Sequence, residues 1–178
     1  HETGLGALFD HYEDSVPTTP GVATVRYQRS GETTLAFAKE WVDGHSGGPF
    51  FLFFHIFEPH LPYEPAPKFL AEYGATYEGE VATADAIVGE LLEHLRSLGL
   101  YDKTLMVLAS DHGEGLGEHG EQQHSLLLYR EAIQVPLLVK LPGSRGGGTR
   151  VAAPVQLSDI LPTVTATLGL PTPAGVSG

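Results

Sequence analysis

The sequence predicts an α/β fold with a mixed, mainly parallel sheet flanked by helices. Two apolar runs, at 50–57 and 104–109, have the length and composition of buried strands. Between them, apolar side chains recur at helical spacing from Tyr77 to Leu98, ahead of Gly99. A strand, a helix and a second strand in this order form a βαβ unit, whose strands are parallel and whose crossover is right-handed. We therefore expect the carboxyl ends of both strands to meet at one edge of the sheet.

The segments before and within this unit have distinct signatures. Residues 1–29 contain prolines and no hydrophobic period, which predicts an irregular segment. A helix is expected over 31–44, with Ser30 as its N-cap and Gly44 as its stop. The proline-rich stretch 58–68 is expected to be a rigid loop that leaves the first strand.

The second half of the chain adds shorter elements. We expect a helical turn within 125–133, a third strand at 135–141, and a helix that is capped by Ser158 and ends at Gly169. We interpret the whole chain, 1–178, as one piece of a single domain. Its parts are an irregular start, a βαβ core with the site loops, and a trailing segment with a helix, at 1–29, 30–142 and 150–170.

Composition excludes several functions. Ten Lys and Arg against twenty-two Asp and Glu give a net charge of −12, which argues against nucleic-acid binding through clustered cations. An anionic substrate would need a metal ion or a few well-placed cations to bind here. The longest apolar stretch, 50–57, is far shorter than the roughly 20 residues of a membrane helix, so no membrane partner is expected. The absence of cysteine excludes disulfides, thiolate metal sites and a cysteine nucleophile from these 178 residues.

Asp111 and His112 directly follow the second predicted strand and precede a run rich in glycine. Ligands of open α/β sheets lie beyond the carboxyl ends of such strands. A carboxylate and an imidazole on adjacent residues of a turn can both reach one divalent cation, and glycines let the backbone approach a ligand closely. The alternative is a hydrogen-bonded turn in which Asp111 caps the loop and His112 is exposed. The position at a strand end favours the ligand interpretation.

Three other histidines are secondary candidates, and a fourth is expected in the core. His60 lies in EPHLPY between two prolines, where a rigid loop either holds the imidazole against a substrate oxygen or exposes it to solvent. His119 and His124 follow in the glycine-rich loop, where each either reaches back to the metal or a bound anion, or is exposed. His55, inside an apolar run, is expected to be a core residue. A solvated or loop-anchoring role, rather than general acid–base chemistry, is expected for the acidic residues Glu114 and Glu118.

Three stretches of the sequence resemble the later half of a sulfatase catalytic domain, in the alkaline phosphatase superfamily. They are FLFFHIFEPHLPY, YEGEVATADAIVGELLEHLRSLGLYDKTLMVLASDHGEGLGEHGE and HSLLLYREAIQVPLLVKLPG. In addition, QLSDILPTVTATLGL is similar to the helix that usually follows. The SDHG turn, the upstream PHxPY loop and the downstream LY and VPL segments are specific as a set. The resemblance implies an incomplete alkaline-phosphatase-like fold.

The resemblance assigns roles to four residues. It makes Asp111 and His112 ligands of a divalent metal ion, which is calcium, manganese or zinc. It makes His60 a contact to the sulfate or phosphate oxygens, and His124 the basic residue that binds the ester or assists the leaving group. The implied function is metal-dependent hydrolysis of sulfate esters, on small molecules or on glycans.

Two alternative functions stay open beside this one. His112 stands where calcium-dependent members have Asn, which is similar to members that use manganese or zinc and also cleave phosphate or phosphonate esters. A phosphodiesterase or phosphonate monoester hydrolase of the same superfamily is therefore the first alternative. The second is a non-catalytic binding module that keeps the fold.

The chain departs from the family pattern at the nucleophile. Family enzymes carry a C/S-x-P-x-R motif after an early strand, whereas here Ser15-Val16-Pro17 is followed by Thr19 in place of the arginine. We interpret this partial match as chance. We expect the chain to be the carboxyl-side part of the domain and to be inactive alone. Because an incomplete sheet exposes a strand edge, pairing with a second copy of the chain is also expected.

Overall fold

The computed structural model describes residues 4–16, 28–124 and 126–177. The chain forms two compact units, at 1–100 and 101–178. Helices dominate the described part of the first unit, and the second unit carries the strands. Among the described residues, no helix combines the length and the apolar character needed to cross a bilayer.

Two long helices form the core of the first unit. α1 (Gly31–His45) begins where the Ser30 hydroxyl accepts a hydrogen bond from the Thr33 amide, so the predicted N-cap is confirmed. α3 (Tyr77–Ser97) begins at Thr76, whose hydroxyl caps it in the same way. The two helices are in contact, and their buried stripes follow the 3.6-residue period. The buried apolar residues are Leu35, Ala38 and Val42 on α1 and Ile87, Leu91 and Leu95 on α3.

A short helix, α2 (Pro67–Tyr73), lies between them in the sequence. It begins at a proline, which is tolerated there because the first-turn amide has no partner within the helix. It contacts α3 and ends at Gly74. The prediction of an uninterrupted loop over 58–68 is therefore wrong at its end, where Pro67 starts a helix.

Residues 50–57 form neither a helix nor a ladder with any described strand. Exposure nevertheless alternates from Phe50 to Ile56, as in a strand with one covered face. Phe51 and Phe53 are 69% and 70% exposed. His55 lies on the same exposed side, so its prediction as a core residue is wrong.

The second unit contains two small sheets. β1 (Met106–Ala109) pairs with β4 (Leu137–Lys140), and Val107 lies opposite Val139. Both described ladders are antiparallel, whereas the sequence predicts a mainly parallel sheet. β1 is also not buried on both faces as expected, since Leu108 is 40% exposed. A two-stranded sheet covers little apolar surface, which explains this exposure.

The second sheet and two helices complete this unit. β2 (Gly115–Leu116) and β3 (Gln122–Gln123) form a hairpin within the glycine-rich loop. α4 (Arg130–Ile133) is the helical turn predicted within 125–133, of which Ser125 lies outside the described residues. α5 (Ile160–Leu168) ends as predicted at Gly169, whose φ of 68° suits a residue without a side chain.

The start of α5 differs from the prediction. The chain enters it through a 3-10 turn, Leu157–Asp159, at which Gln156 and Asp159 exchange hydrogen bonds as a capping box. Ser158 is therefore not the cap. In the start of the chain, predicted as irregular, the described residues contain one 3-10 turn, Leu5–Leu8, and the Pro17 and Thr19 positions of the motif lie outside the described residues.

Candidate functional site

Asp111 and His112 occupy the turn that follows β1. The Ser110 hydroxyl donates to the His112 carbonyl at 2.6 Å, which closes the turn. The His112 amide donates to Asp111 Oδ1 at 3.0 Å. The same Oδ1 lies 3.8 Å from His112 Nε2, and the Asp111 side chain is 79% exposed. The turn thus places an imidazole nitrogen and a carboxylate oxygen on one side of the chain.

The orientation of His112 is set by its own backbone. Its Nδ1 lies 2.8 Å from the Gly113 carbonyl oxygen. Because a carbonyl only accepts, Nδ1 carries the hydrogen, and in the neutral ring the lone pair is on Nε2. Histidines that ligate metals in proteins are fixed in this way, with one ring nitrogen donating to a carbonyl or carboxylate.

His124 contacts His112 directly. The two rings are stacked with their centroids 3.7 Å apart and their planes 25° apart. His124 Nδ1 lies 3.3 Å from Glu114 Oε1, and the Glu114 side chain is only 4% exposed. A buried carboxylate therefore holds the second imidazole beside the first.

Glu114 is the residue whose contact the sequence analysis missed. The β2–β3 hairpin pairs Gly115 with Gln123, so the residues just outside that pair, Glu114 and His124, become neighbours. Gln123 has a φ of 80°, in the left-handed region, and this turn of the backbone immediately precedes His124. The signal that could have indicated the pair is the hairpin itself, which is centred on Gly117 and Gly120.

Gly113 brings the loop against α4. Its amide donates to the Ala132 carbonyl at 2.8 Å, and a Cβ at this position would lie 2.0 Å from the Glu131 carbonyl oxygen. Only glycine fits this contact. The site turn and α4 are therefore held in backbone contact.

His119 anchors the outer part of the same loop. Its Nδ1 donates to the Glu131 carboxylate, and its ring stacks on Tyr129 with centroids 4.0 Å apart. The hydrogen bond from His119 lowers the pKa of Glu131. Glu118 accepts a hydrogen bond from the Leu116 amide at 2.8 Å, which is the loop-anchoring role expected of it. His119 thus contacts α4 and Tyr129, the residue that precedes α4.

A cavity of about 280 Å³ opens beside the paired imidazoles. Its polar wall is formed by Asp111, His112 and His124, and Leu127, Leu128 and Ile133 contribute to its apolar wall. Within the described ranges, no group of three or more His, Asp or Glu side chains is arranged to hold a metal ion. The roles of Asp111 and His112 as metal ligands therefore stay a prediction.

His60 lies in the first unit, on the loop before α2. Its Nδ1 donates to the Leu61 carbonyl at 2.6 Å, and its ring lies 4.3 Å from that of Phe57, centroid to centroid. These two contacts give the imidazole a defined orientation, and its contact with a substrate oxygen stays a prediction. Its convergence with Asp111 at one edge of the sheet stays a prediction.

The sequence matches proteins of known family. A family model named Sulfatase matches residues 3–170. Arylsulfatase K of Bos taurus is 39% identical over 104 residues, which are 58% of this chain and 19% of that protein. The ulvan-active sulfatase of Formosa agariphila is 35% identical over 118 residues, which are 64% of this chain and 23% of that protein. The chain thus spans about a fifth of the length of these relatives.

The fold is also similar to solved structures. Ps i-CgsB in complex with k-i-k-neocarrahexaose matches 89% of this chain and 39% of its own, with a TM-score of 0.70 and 26% identity. The phosphonate monoester hydrolase SpPMH of Silicibacter pomeroyi matches 99% of this chain and 47% of its own, with a TM-score of 0.67 and 24% identity. The second likeness concerns the fold alone. Together with the family match, these likenesses confirm the predicted α/β class and its sulfatase-like fold.

Proposed function

Because the chain belongs to the sulfatase family, we propose that it supplies one side of the active site of a metal-dependent sulfate-ester hydrolase. The observation that carries this proposal is the Asp111–His112 turn. His112 Nδ1 is committed to the Gly113 carbonyl, so the lone pair of Nε2 is on the side of the ring that lies 3.8 Å from Asp111 Oδ1. An imidazole lone pair and a carboxylate oxygen at this separation can both bind one metal ion.

Both donors fit a divalent ion as part of its coordination. Bonds from such an ion to nitrogen or oxygen are about 2.0–2.2 Å, so donor atoms up to about 4 Å apart can share it. The mixed nitrogen and oxygen pair suits manganese or zinc better than calcium, which prefers oxygen ligands. Bound there, the ion would polarise the ester and stabilise an anionic nucleophile.

His124 is the residue proposed to transfer a proton on this side of the active site. Glu114 accepts the hydrogen on Nδ1, so the proton that His124 can give or take is the one on Nε2. The buried carboxylate holds the ring in place, and in its protonated form the ring can donate the Nε2 hydrogen to the departing alcohol oxygen. His60 is proposed to hold a non-bridging oxygen of the ester.

The proposed substrate is a sulfate ester of a small molecule or a glycan. The relatives named above are sulfatases, and one similar structure holds a neocarrahexaose. The Ser15 motif has Thr19 in place of arginine, so the 178 residues alone are expected to bind such an ester without hydrolysing it.

Ester binding followed by NMR separates this function from its two alternatives. Zinc is used as the metal because it is diamagnetic. The chain is labelled with ¹⁵N-histidine and loaded with zinc, and 4-nitrophenyl sulfate and a phenyl phosphonate monoester are titrated into it in separate experiments. The proposal expects the sulfate ester to shift the His124 ring signals at lower concentration than the phosphonate does. Preference for the phosphonate would favour the phosphonate hydrolase. No response to either ester at saturating zinc would contradict both hydrolases and favour a non-catalytic module.

A further inference from the structure

Glutamate carboxylates accept hydrogen bonds from the backbone at both ends of the loop that carries His60. At its start, Glu58 Oε1 accepts a hydrogen bond at 2.8 Å from the Gly31 amide, the first amide of α1. At its end, Glu80 on α3 accepts a hydrogen bond from the Glu64 amide. His60 lies between these two attachments. All of these contacts belong to the first unit.

Both attachments are closely packed. A Cβ at Gly31 would lie 2.7 Å from Glu58 Oε2 and 2.7 Å from Ile87 Cδ1, so α1 reaches Glu58 only because its first residue is glycine. Glu80 is 3% exposed. A shift of either end of the loop would break one of these two hydrogen bonds.

His60 has one defined orientation within this frame. Its Nδ1 donates to the Leu61 carbonyl, and its ring rests against Phe57. Since the carbonyl only accepts, the neutral ring carries its lone pair on Nε2. The direction of that lone pair depends on the path of the backbone from 58 to 64.

Carboxylates are a costly means of holding a loop. A hydroxyl can do the same work, since Thr83 accepts a hydrogen bond at 3.0 Å from the Ala66 amide, just beyond the loop. Glu58 Oε2, by contrast, is buried with no hydrogen-bond partner in the described part of the chain. Burial raises the pKa of Glu80, and the charges of Glu58 and Glu64 raise it further. Proteins keep such unfavourable buried carboxylates where a functional site needs a fixed geometry.

We propose that Glu58 and Glu80 are positioning residues for His60, which fix the tautomer and direction of its imidazole by holding the two ends of its loop. The inference takes its functional meaning from the proposed role of His60. The geometry itself is independent of metal and substrate.

Substitutions of Glu80 test the proposal in the full chain. Glu80→Gln keeps an oxygen acceptor of the same size, whereas Glu80→Met keeps the volume and removes the acceptor. Long-range ¹H–¹⁵N spectra report the tautomer of His60, and hydrogen exchange reports the Glu64 amide. We expect Glu80→Gln and the exposed control Glu78→Gln to keep the Nδ1–H tautomer. Glu80→Met should lose it and lower the protection of the Glu64 amide about tenfold.

An unchanged His60 tautomer in folded Glu80→Met would overturn the proposal. If that variant does not fold, the unsubstituted chain decides. There, slow exchange of the Gly31 and Glu64 amides and a dominant Nδ1–H tautomer of His60 support the proposal. Unprotected amides or a dominant Nε2–H tautomer overturn it. None of these readouts needs turnover or ester binding, so failure of the proposed function would be seen separately, in the ester titration.

Discussion

At the residue scale, two contacts build the site: one between the neighbours Asp111 and His112, and one across a hairpin between Glu114 and His124. Asp111 and His112 are adjacent and follow an apolar run, so their proximity needs no tertiary information. The contact of Glu114 with His124 depends on the register of a two-residue hairpin, and single-residue shifts of register change every neighbour. A glutamate ten residues from a histidine carries no local signal of that pairing.

Glu80 provides a prediction on pH and stability. Burial first, and then the charges of Glu58 and Glu64, raise its pKa, against the opposing effect of the hydrogen bond from the Glu64 amide. A raised pKa means that the folded chain binds more protons than the unfolded chain between the ordinary value and the raised one. The stabilisation is therefore complete below the ordinary value of 4.5 and is lost as pH rises through the raised pKa.

Glu80→Gln should therefore stabilise the chain at neutral pH, on the order of 1 kcal/mol, since a neutral amide replaces a buried charge and keeps the acceptor. The free energy of unfolding, measured with urea from pH 4 to pH 8, should also decline less with pH than in the unsubstituted chain. The exposed neighbour Glu78→Gln is the control and should leave the profile unchanged. A Glu80→Gln profile parallel to that of the unsubstituted chain would show that Glu80 does not titrate abnormally.

At the element scale, the helices are predicted well and the strands less well. α1 and α3 each combine a hydroxyl cap with a 3.6-residue apolar stripe, which are local signals that agree with each other, although α1 runs past its predicted stop, Gly44, to His45. A strand also needs a partner. Residues 50–57 have the composition and alternating exposure of a strand, but no described strand pairs with them. The prolines of 58–68 predict a loop and give no sign of the short helix α2, although proline is favourable in the first turn of a helix.

The contact between the site turn and α4 gives a prediction about Gly113. A methyl group there would lie 2.0 Å from the Glu131 carbonyl oxygen, and backbone cannot yield as a flexible side chain can. We expect Gly113→Ala to destabilise the chain by about 1–3 kcal/mol, the usual cost of overpacking. Thermal unfolding followed by circular dichroism measures this change.

Gly89→Ala is the matched control for this change. Gly89 lies inside α3, and a Cβ there would have no atom within 4 Å. Alanine should stabilise α3 by up to about 1 kcal/mol, because it is the better helix former. Equal effects of the two substitutions would contradict the packing described for Gly113.

At the scale of the whole molecule, large apolar side chains are exposed at many points of the described chain. Leu126 and Leu128 are 86% and 85% exposed, and Phe51 and Phe53 are nearly as open. Strand-like segments with exposed apolar side chains favour association with further chain. We therefore predict that the 178 residues form dimers or larger species at micromolar concentration, which light scattering measures. The net charge of −12 opposes association, so added salt should promote it. A monodisperse monomer in both low and high salt would contradict this prediction.

The central claim is that Asp111 and His112 together hold a divalent ion beside His124, and paramagnetic broadening by Mn²⁺ tests it most directly. His45 is the internal control, because its Nδ1 also bonds a backbone carbonyl, that of Trp41 at 2.7 Å. The account predicts that substoichiometric Mn²⁺ broadens the ring signals of His112 and the stacked His124 before those of His45, and that Asp111→Asn weakens this effect. Equal broadening of His45 and His112, or an unchanged response in Asp111→Asn, would contradict it.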